Sequence, residues 1–112
     1  MFNLSSIHVK IRNQAKILSI IALLEKKGPS LSRPYADLLE DGIHELRIKL
    51  SGKQVRILYF FCYQNFIILT HPFTKTTDKI PPSEINKTKI LRTDFLKRYN
   101  KIQLEDLINE DI

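Results

Sequence analysis

Residues 43–71 read IHELRIKL SG KQVRILYFFCY QN FIILTH, three apolar runs separated by two short polar breaks. In the first run His44, Leu46, Ile48 and Leu50 fall on one side and Ile43, Glu45, Arg47 and Lys49 on the other. That period of two marks a strand. The second run, from Val55 to Tyr63, is apolar on both sides except at Arg56, as expected of a central strand. Ser51-Gly52 and Gln64-Asn65 are short enough for tight turns, so the three runs make an antiparallel meander.

On the N-terminal side, Ile7, Ile11, Ala15, Leu18 and Ala22 recur three to four apart, with Ile17, Ile21 and Leu24 alongside. This spacing predicts a helix from Ile7 to Lys27, capped by Ser6, with Lys26-Lys27 at its negative end and Gly28-Pro29 as its stop. Tyr35–Glu40 reads as a helical turn closed by Gly42. On the C-terminal side, a second helix is predicted after Pro81-Pro82, from about Glu84 to Lys101. Its apolar stripe is Ile85, Leu91, Phe95 and Tyr99, and its other side carries Lys87, Lys97, Arg98 and Lys101. Residues 102–112 read as a solvated acidic tail, separate from a domain over residues 1–101.

The chain has 112 residues, 43% of them hydrophobic, which suits one globular domain. Three glycines, five prolines and one cysteine exclude collagen-like, disordered and disulfide-scaffold classes. The lone Cys62 fits a reducing cytosol, and no apolar run approaches the roughly 20 residues of a membrane span. Charge is distributed unevenly. Residues 47–101 hold twelve cations against three acids, whereas residues 102–112 hold four acids and no cation. A strongly basic central segment favours polyanions, nucleic acid first among them, although a merely solvated cationic face accounts for it equally well.

With two-residue loops in both hairpins, Leu50 pairs with Lys53 and Arg47 lies opposite Arg56. Arg56 in turn faces Phe73, and Leu58 faces His71. A loop of odd length would break this register. Two like charges directly opposite on a sheet repel, and a phosphate between them would resolve the conflict. Phe73 then offers a stacking face for a base, and Lys75 ends the same strand. A structural reading stands beside this one, in which Glu45 neutralises an arginine and Phe73 belongs to the core. His71 could move a proton near neutral pH, or be a packed strand-end histidine. His8 and His44 lack partners at ligand spacing, and Cys62 reads as a small buried hydrophobe. No zinc spacing, phosphate-binding glycine loop or Ser/His/Asp arrangement occurs, so no metal or cofactor is expected. RNA cleavage would then use the substrate's own 2′-OH, with the protein neutralising and positioning the phosphate.

Three motifs in order carry a resemblance: Gly-Ile-His-Glu-Leu-Arg at 42–47, Val-Arg-Ile-Leu-Tyr-Phe at 55–60, and the stretch from Ile68 to Ile85 containing His71-Pro-Phe-Thr-Lys75. From about Ala15 to Tyr99 the chain resembles the HigB-like branch of the RelE/ParE toxin superfamily, which includes phage-derived toxin-like proteins. The resemblance implies the toxin of a type II toxin–antitoxin pair, a ribosome-dependent mRNA endoribonuclease that works by 2′-OH attack without metal. It implies a helix-turn-helix antitoxin as partner, the ribosome and mRNA as target, operator DNA only through the antitoxin, and no membrane. Carried over, the catalytic set is Arg47, Arg56, Lys75 and His71, with Phe73 as an RNA contact; Lys49, Lys79 and Tyr99 are further RNA-contact candidates read from the chain itself.

Thr76, Asp78 and Ile80 depart from the family's basic pattern after Phe-x-Lys, and His44 stands where a tyrosine is usual. Met1–Ser6 is too short and polar for the strand with which that family opens. The expected fold is therefore α+β: a long N-terminal helix, a three-stranded antiparallel sheet lacking the first strand, and a C-terminal helix. The missing strand, Thr76 and Asp78 also support a rival, a toxin homologue that binds antitoxin without cleaving. Two further alternatives are a ParE-like toxin directed at gyrase and a plain RNA-binding module.

Overall fold

The computed structural model describes residues 11–110. The Ser6 cap, Ile7 and the reading of Met1–Ser6 lie outside the described residues. Helix α1 spans Ile11–Lys27 and ends in a short 3-10 turn at Gly28–Ser30. Four strands follow, β1 (Ala36–Glu40), β2 (Ile43–Leu50), β3 (Lys53–Cys62) and β4 (Phe66–Thr74), then helices α2 (Pro82–Arg98) and α3 (Lys101–Glu110). The strands form one antiparallel sheet in the order β1-β2-β3-β4.

The sheet thus has four strands, not three, and Tyr35–Glu40 is not a helical turn. Asp41-Gly42 decides this. Both residues have positive φ, 49° and 73°, which suits the tight hairpin turn that returns β1 onto β2. Ala36 is buried under α1, and Arg47 N–H donates to the Tyr35 carbonyl at 2.8 Å, extending the ladder. Tertiary pairing overrides the helical propensity of Asp-Leu-Leu-Glu.

The β2–β3 hairpin is as expected: Ser51-Gly52 turns with positive φ, Leu50 pairs with Lys53, and Arg47 lies opposite Arg56. The β3–β4 hairpin reaches its expected register by another route. Its loop has three residues, with Cys62 paired to Phe66, so the register begins one residue out. An irregularity between Ile57 and Tyr59 then sets Thr70 and His71 against Leu58 alone, a β-bulge, and beyond it Arg56 faces Phe73. The Thr70 hydroxyl donates to the Leu58 carbonyl at 2.7 Å inside this bulge. Two odd steps cancel.

Both sheet faces are covered, which is why β3 is apolar on both sides. On one face Ile17 and Leu24 of α1 pack on Leu46, Ile48, Val55, Ile57 and Tyr59. The stripe of Ala15, Leu18 and Ala22 faces solvent instead, because the helix presents the neighbouring row of Ile17, Ile20, Ile21 and Leu24 to the sheet. On the other face Ile43, Leu58 and Phe60 lie under Ile80, Ile85 and Phe95. Thr88 is buried mid-helix, its hydroxyl satisfied by the Glu84 carbonyl at 3.0 Å. Arg92 reaches from α2 to Asp41 Oδ2 at 2.8 Å and Lys89 to Glu40 Oε2 at 2.6 Å, pinning α2 beside the β1–β2 turn.

The C-terminal helical region is two helices, not one. Tyr99 is extended and ends α2, and Asn100 starts α3 with a reciprocal cap. Asn100 Oδ1 accepts from Gln103 N–H at 2.9 Å, and Gln103 Oε1 accepts from Asn100 N–H at 2.8 Å. Leu104 of α3 is buried, and the acidic stretch forms a helix over residues 101–110. Asn100→Ala is expected to lower stability by about 1 kcal/mol and to reduce helical ellipticity, checked by circular dichroism during urea unfolding.

Candidate functional site

The face of the sheet below α2 carries Glu45 and Arg47 from β2 and Gln54 and Arg56 from β3, with Phe73 and Lys75 at the end of β4. Alternation along each strand sends these side chains the same way, and the register sets Arg47, Arg56 and Phe73 in one row. Lys75 N–H donates to the Gln54 carbonyl at 2.7 Å, which continues the ladder and holds Lys75 beside the row.

Glu45 bridges the two arginines. Its Oε1 accepts from Arg47 Nη1 at 2.6 Å, and its Oε2 lies 3.6 Å from Arg56 Nε. Glu45 and Arg56 are almost wholly enclosed, at 3% and 2% side-chain exposure, whereas Arg47 is 23% exposed. Glu45 Oε2 and Arg56 Nε have no hydrogen-bond partner. Arg56 Nη1 donates to its own neighbour's carbonyl, Val55 O, at 3.0 Å, and both Nη atoms reach Gln54 Oε1 at 3.4 Å. Burial and the nearby Arg47 lower the Arg56 guanidinium from its ordinary value, while Glu45 pulls it back up. With one carboxylate between two guanidiniums, the cluster keeps a single net positive charge, and Arg47 is its exposed member.

Arg47 opens into a groove of about 390 Å³ between β1, β2, the loop after β4 and the start of α2. Four cations line it, Arg33, Arg47, Lys75 and Lys79, and so do four acids, Asp37, Glu40, Glu45 and Asp78. Most of these are already matched. Arg33 Nη2 donates to Asp37 Oδ2 at 2.8 Å and holds that carboxyl below its usual value, and Glu40 takes Lys89. Among the described residues Lys75 and Lys79 form no ion pair, while Arg47, paired to Glu45, shares that carboxylate with Arg56.

The remaining expected residues lie elsewhere. Phe73 packs half-buried in the cluster with Ile80 and Ile85. His71 sits in the bulge with its Nε2 3.0 Å from Glu84 Oε2 on α2, and its ring centroid is 6.3 Å from that of Phe73. His71 and Tyr99 line a second, smaller cavity of about 240 Å³ between β4 and the C-terminal half of α2. Tyr99 also fixes the helix end, its carbonyl accepting from Tyr63 Oη at 2.7 Å. Lys49 is exposed on β2 opposite Gln54. The structure therefore brings Arg47, Lys75 and Lys79 to one groove with Arg56 enclosed beside it, and sets His71 and Tyr99 on the other cavity. Sequence reasoning allowed Glu45 to neutralise one arginine. It did not foresee the carboxylate shared by both, although Glu-x-Arg on one face of a strand was the signal.

On the opposite face His44 stacks on Tyr59, with ring centroids 5.1 Å apart, and meets Phe61 edge-on. Burial pushes the His44 imidazole below its ordinary 6.5 and the Tyr59 phenol up to about 12. The neutral imidazole is the form that fits the fold. Its contribution is therefore complete above about pH 6.5 and is lost as pH falls through the lowered folded value. The midpoint of thermal unfolding is expected to fall on this acid side, and less steeply in His44→Gln; melting curves across pH 5–8 check it.

The chain is thus an α+β domain with an arginine–glutamate–arginine cluster, two members enclosed and Arg47 partly exposed, at the mouth of a groove. Residues 7–93 match the family described as phage derived protein Gp49-like (DUF891), and the chain belongs to that family. The family lies in the RelE/HigB toxin superfamily, which agrees with a type II toxin. No curated protein matches the sequence. Among the described residues no helix is long and apolar enough to cross a membrane, and no group of three or more His, Cys, Asp or Glu side chains is placed to hold a metal ion.

Proposed function

We propose that this chain is the toxin of a type II toxin–antitoxin pair and cleaves mRNA on the ribosome, with the scissile phosphate held at the mouth of the Arg47 groove. The observation that carries the reading is the partly exposed Arg47 guanidinium, anchored on Glu45 and flanked by Lys75 and Lys79, which form no ion pair among the described residues. Family membership supports it. In this reading the substrate's 2′-oxygen attacks the adjacent phosphorus while the bond to the 5′-oxygen breaks. The products are a 2′,3′-cyclic phosphate and a free 5′-hydroxyl. The 2′-OH proton leaves to solvent or a neighbouring base, and the departing 5′-oxygen takes one up. Arg47 and Lys75 offset the charge that grows on the phosphoryl oxygens, and Lys79 and Lys49 add to the field that draws in the strand. His71 and Tyr99, across α2, contact RNA beyond the phosphate step. A helix-turn-helix antitoxin is the neutralising partner.

One observation favours a second reading, a homologue that binds antitoxin without cutting. Asp37, Glu40 and Asp78 line the same groove and offset much of its positive charge. Cleavage of a defined mRNA in a purified translation system, with and without ribosomes and with 5′ ends mapped, decides between them. Cuts that require ribosomes and leave 5′-hydroxyl ends are expected. Folded protein that leaves the mRNA intact would move the assignment to the binding-only homologue.

A further inference from the structure

We propose that Glu45 is a positioning residue for Arg47, with buried Arg56 as the counter-charge that keeps the Glu45 carboxylate fixed, so that a single arginine of the facing pair meets the phosphate. The inference rests on the RNA-cleaving reading above and assigns the division of labour within that site.

The two arginines look equivalent in the sheet register, but their surroundings are not. Arg56 is enclosed: its Nη1 donates to Val55 O, both Nη atoms reach Gln54 Oε1, and its Nε, without a hydrogen-bond partner, lies 3.6 Å from Glu45 Oε2 as a counter-charge. Arg47 reaches the groove. Glu45 separates two guanidiniums that would otherwise repel across the strand pair, and it does so asymmetrically: a short hydrogen bond of 2.6 Å to Arg47 and a longer 3.6 Å approach to Arg56. A carboxylate with a single positive neighbour would leave its partner neutralised. With two such neighbours, one unit of positive charge is left over, and Arg47 is where solvent and substrate can reach it. The hydrogen bond to Oε1 also removes rotamer freedom from Arg47 before substrate arrives, so the charge is already oriented when the phosphate enters.

The test compares the parent with Arg47→Ala, with Glu45→Gln, and with the double variant Glu45→Met plus Arg56→Met, in single-turnover cleavage on programmed ribosomes. The double variant removes the buried pair together, which leaves no isolated buried charge, and Glu45→Gln keeps the side-chain shape should the double variant not fold. Thermal unfolding establishes which are folded. Both Glu45 variants keep Arg47 but take away its anionic anchor, glutamine leaving a neutral acceptor and methionine none. They are expected to lose about 10²-fold in the maximal cleavage rate while half-saturating ribosome concentration stays within about twofold, the pattern of a misplaced rather than missing contact. A folded variant lacking the Glu45 carboxylate that cleaves at the parental rate would overturn the inference, leaving Glu45 and Arg56 as scaffold. So would a double variant whose loss lies mainly in half-saturation, since that would make Arg56 a direct ligand of the strand. Should Arg47→Ala cleave as the parent does, the site assignment itself falls, an outcome separate from either of these.

Discussion

Replacing Glu45 by alanine is expected to cost about 3–5 kcal/mol of folding stability, measured by urea unfolding. The magnitude follows from what is left behind. Arg56 would remain enclosed at 2% exposure with Arg47 directly opposite and no anion between them. A buried charge deprived of its partner is far more costly than the pair was favourable. Substituting methionine at both 45 and 56 removes donor and acceptor together, and stability is expected to return to within about 1–2 kcal/mol of the parent. A Glu45→Ala protein as stable as the parent would show that the cluster is loose enough for water to take the carboxylate's place.

The second large effect is on activity. Arg47→Ala is expected to reduce ribosome-dependent cleavage by about 10²–10³-fold, the usual loss when one preorganised donor to a developing oxyanion is removed. Stability should fall less than in Glu45→Ala, by about 1–3 kcal/mol, because Glu45 loses its one hydrogen-bond donor but keeps Arg56 3.6 Å away as a counter-charge. Rates measured alongside urea unfolding separate the two quantities. The same pair of measurements on Glu45→Ala would show the reverse order of magnitude, stability first.

The row of Arg47, Arg56 and Phe73 was legible because strand period and Ser51-Gly52 turn chemistry determine which residues face each other. The step from β3 to β4 agreed for a reason the residues do not advertise, since the three-residue loop and the bulge at Thr70-His71 offset each other. Strand β1 was missed because Asp-Leu-Leu-Glu is a reasonable helical turn by propensity. Asp41-Gly42, a strong hairpin signal, should have outweighed that. Helix α3 was hidden by its acidity, though Asn100 with Gln103 three residues on is a capping pattern visible in the sequence. Within the site, Glu45 was readable as a neighbour of Arg47. Its enclosure between both arginines, with Ile80 and Ile85 lining the same groove, is what strand pairing alone does not convey.

The order β1-β2-β3-β4 has a consequence for how the chain is made. Each strand pairs with the one synthesised immediately before or after it, across loops of two or three residues, so little loop entropy is spent in closing the sheet. The hairpin carrying Arg47 and Arg56 is complete once residue 62 has cleared the exit tunnel, but the groove is not. Ile80, Pro82 and Ile85, which wall it, emerge some twenty residues later. The groove is therefore walled only after the hairpin it opens on, so the arginine pair is set in register before its surroundings close over it.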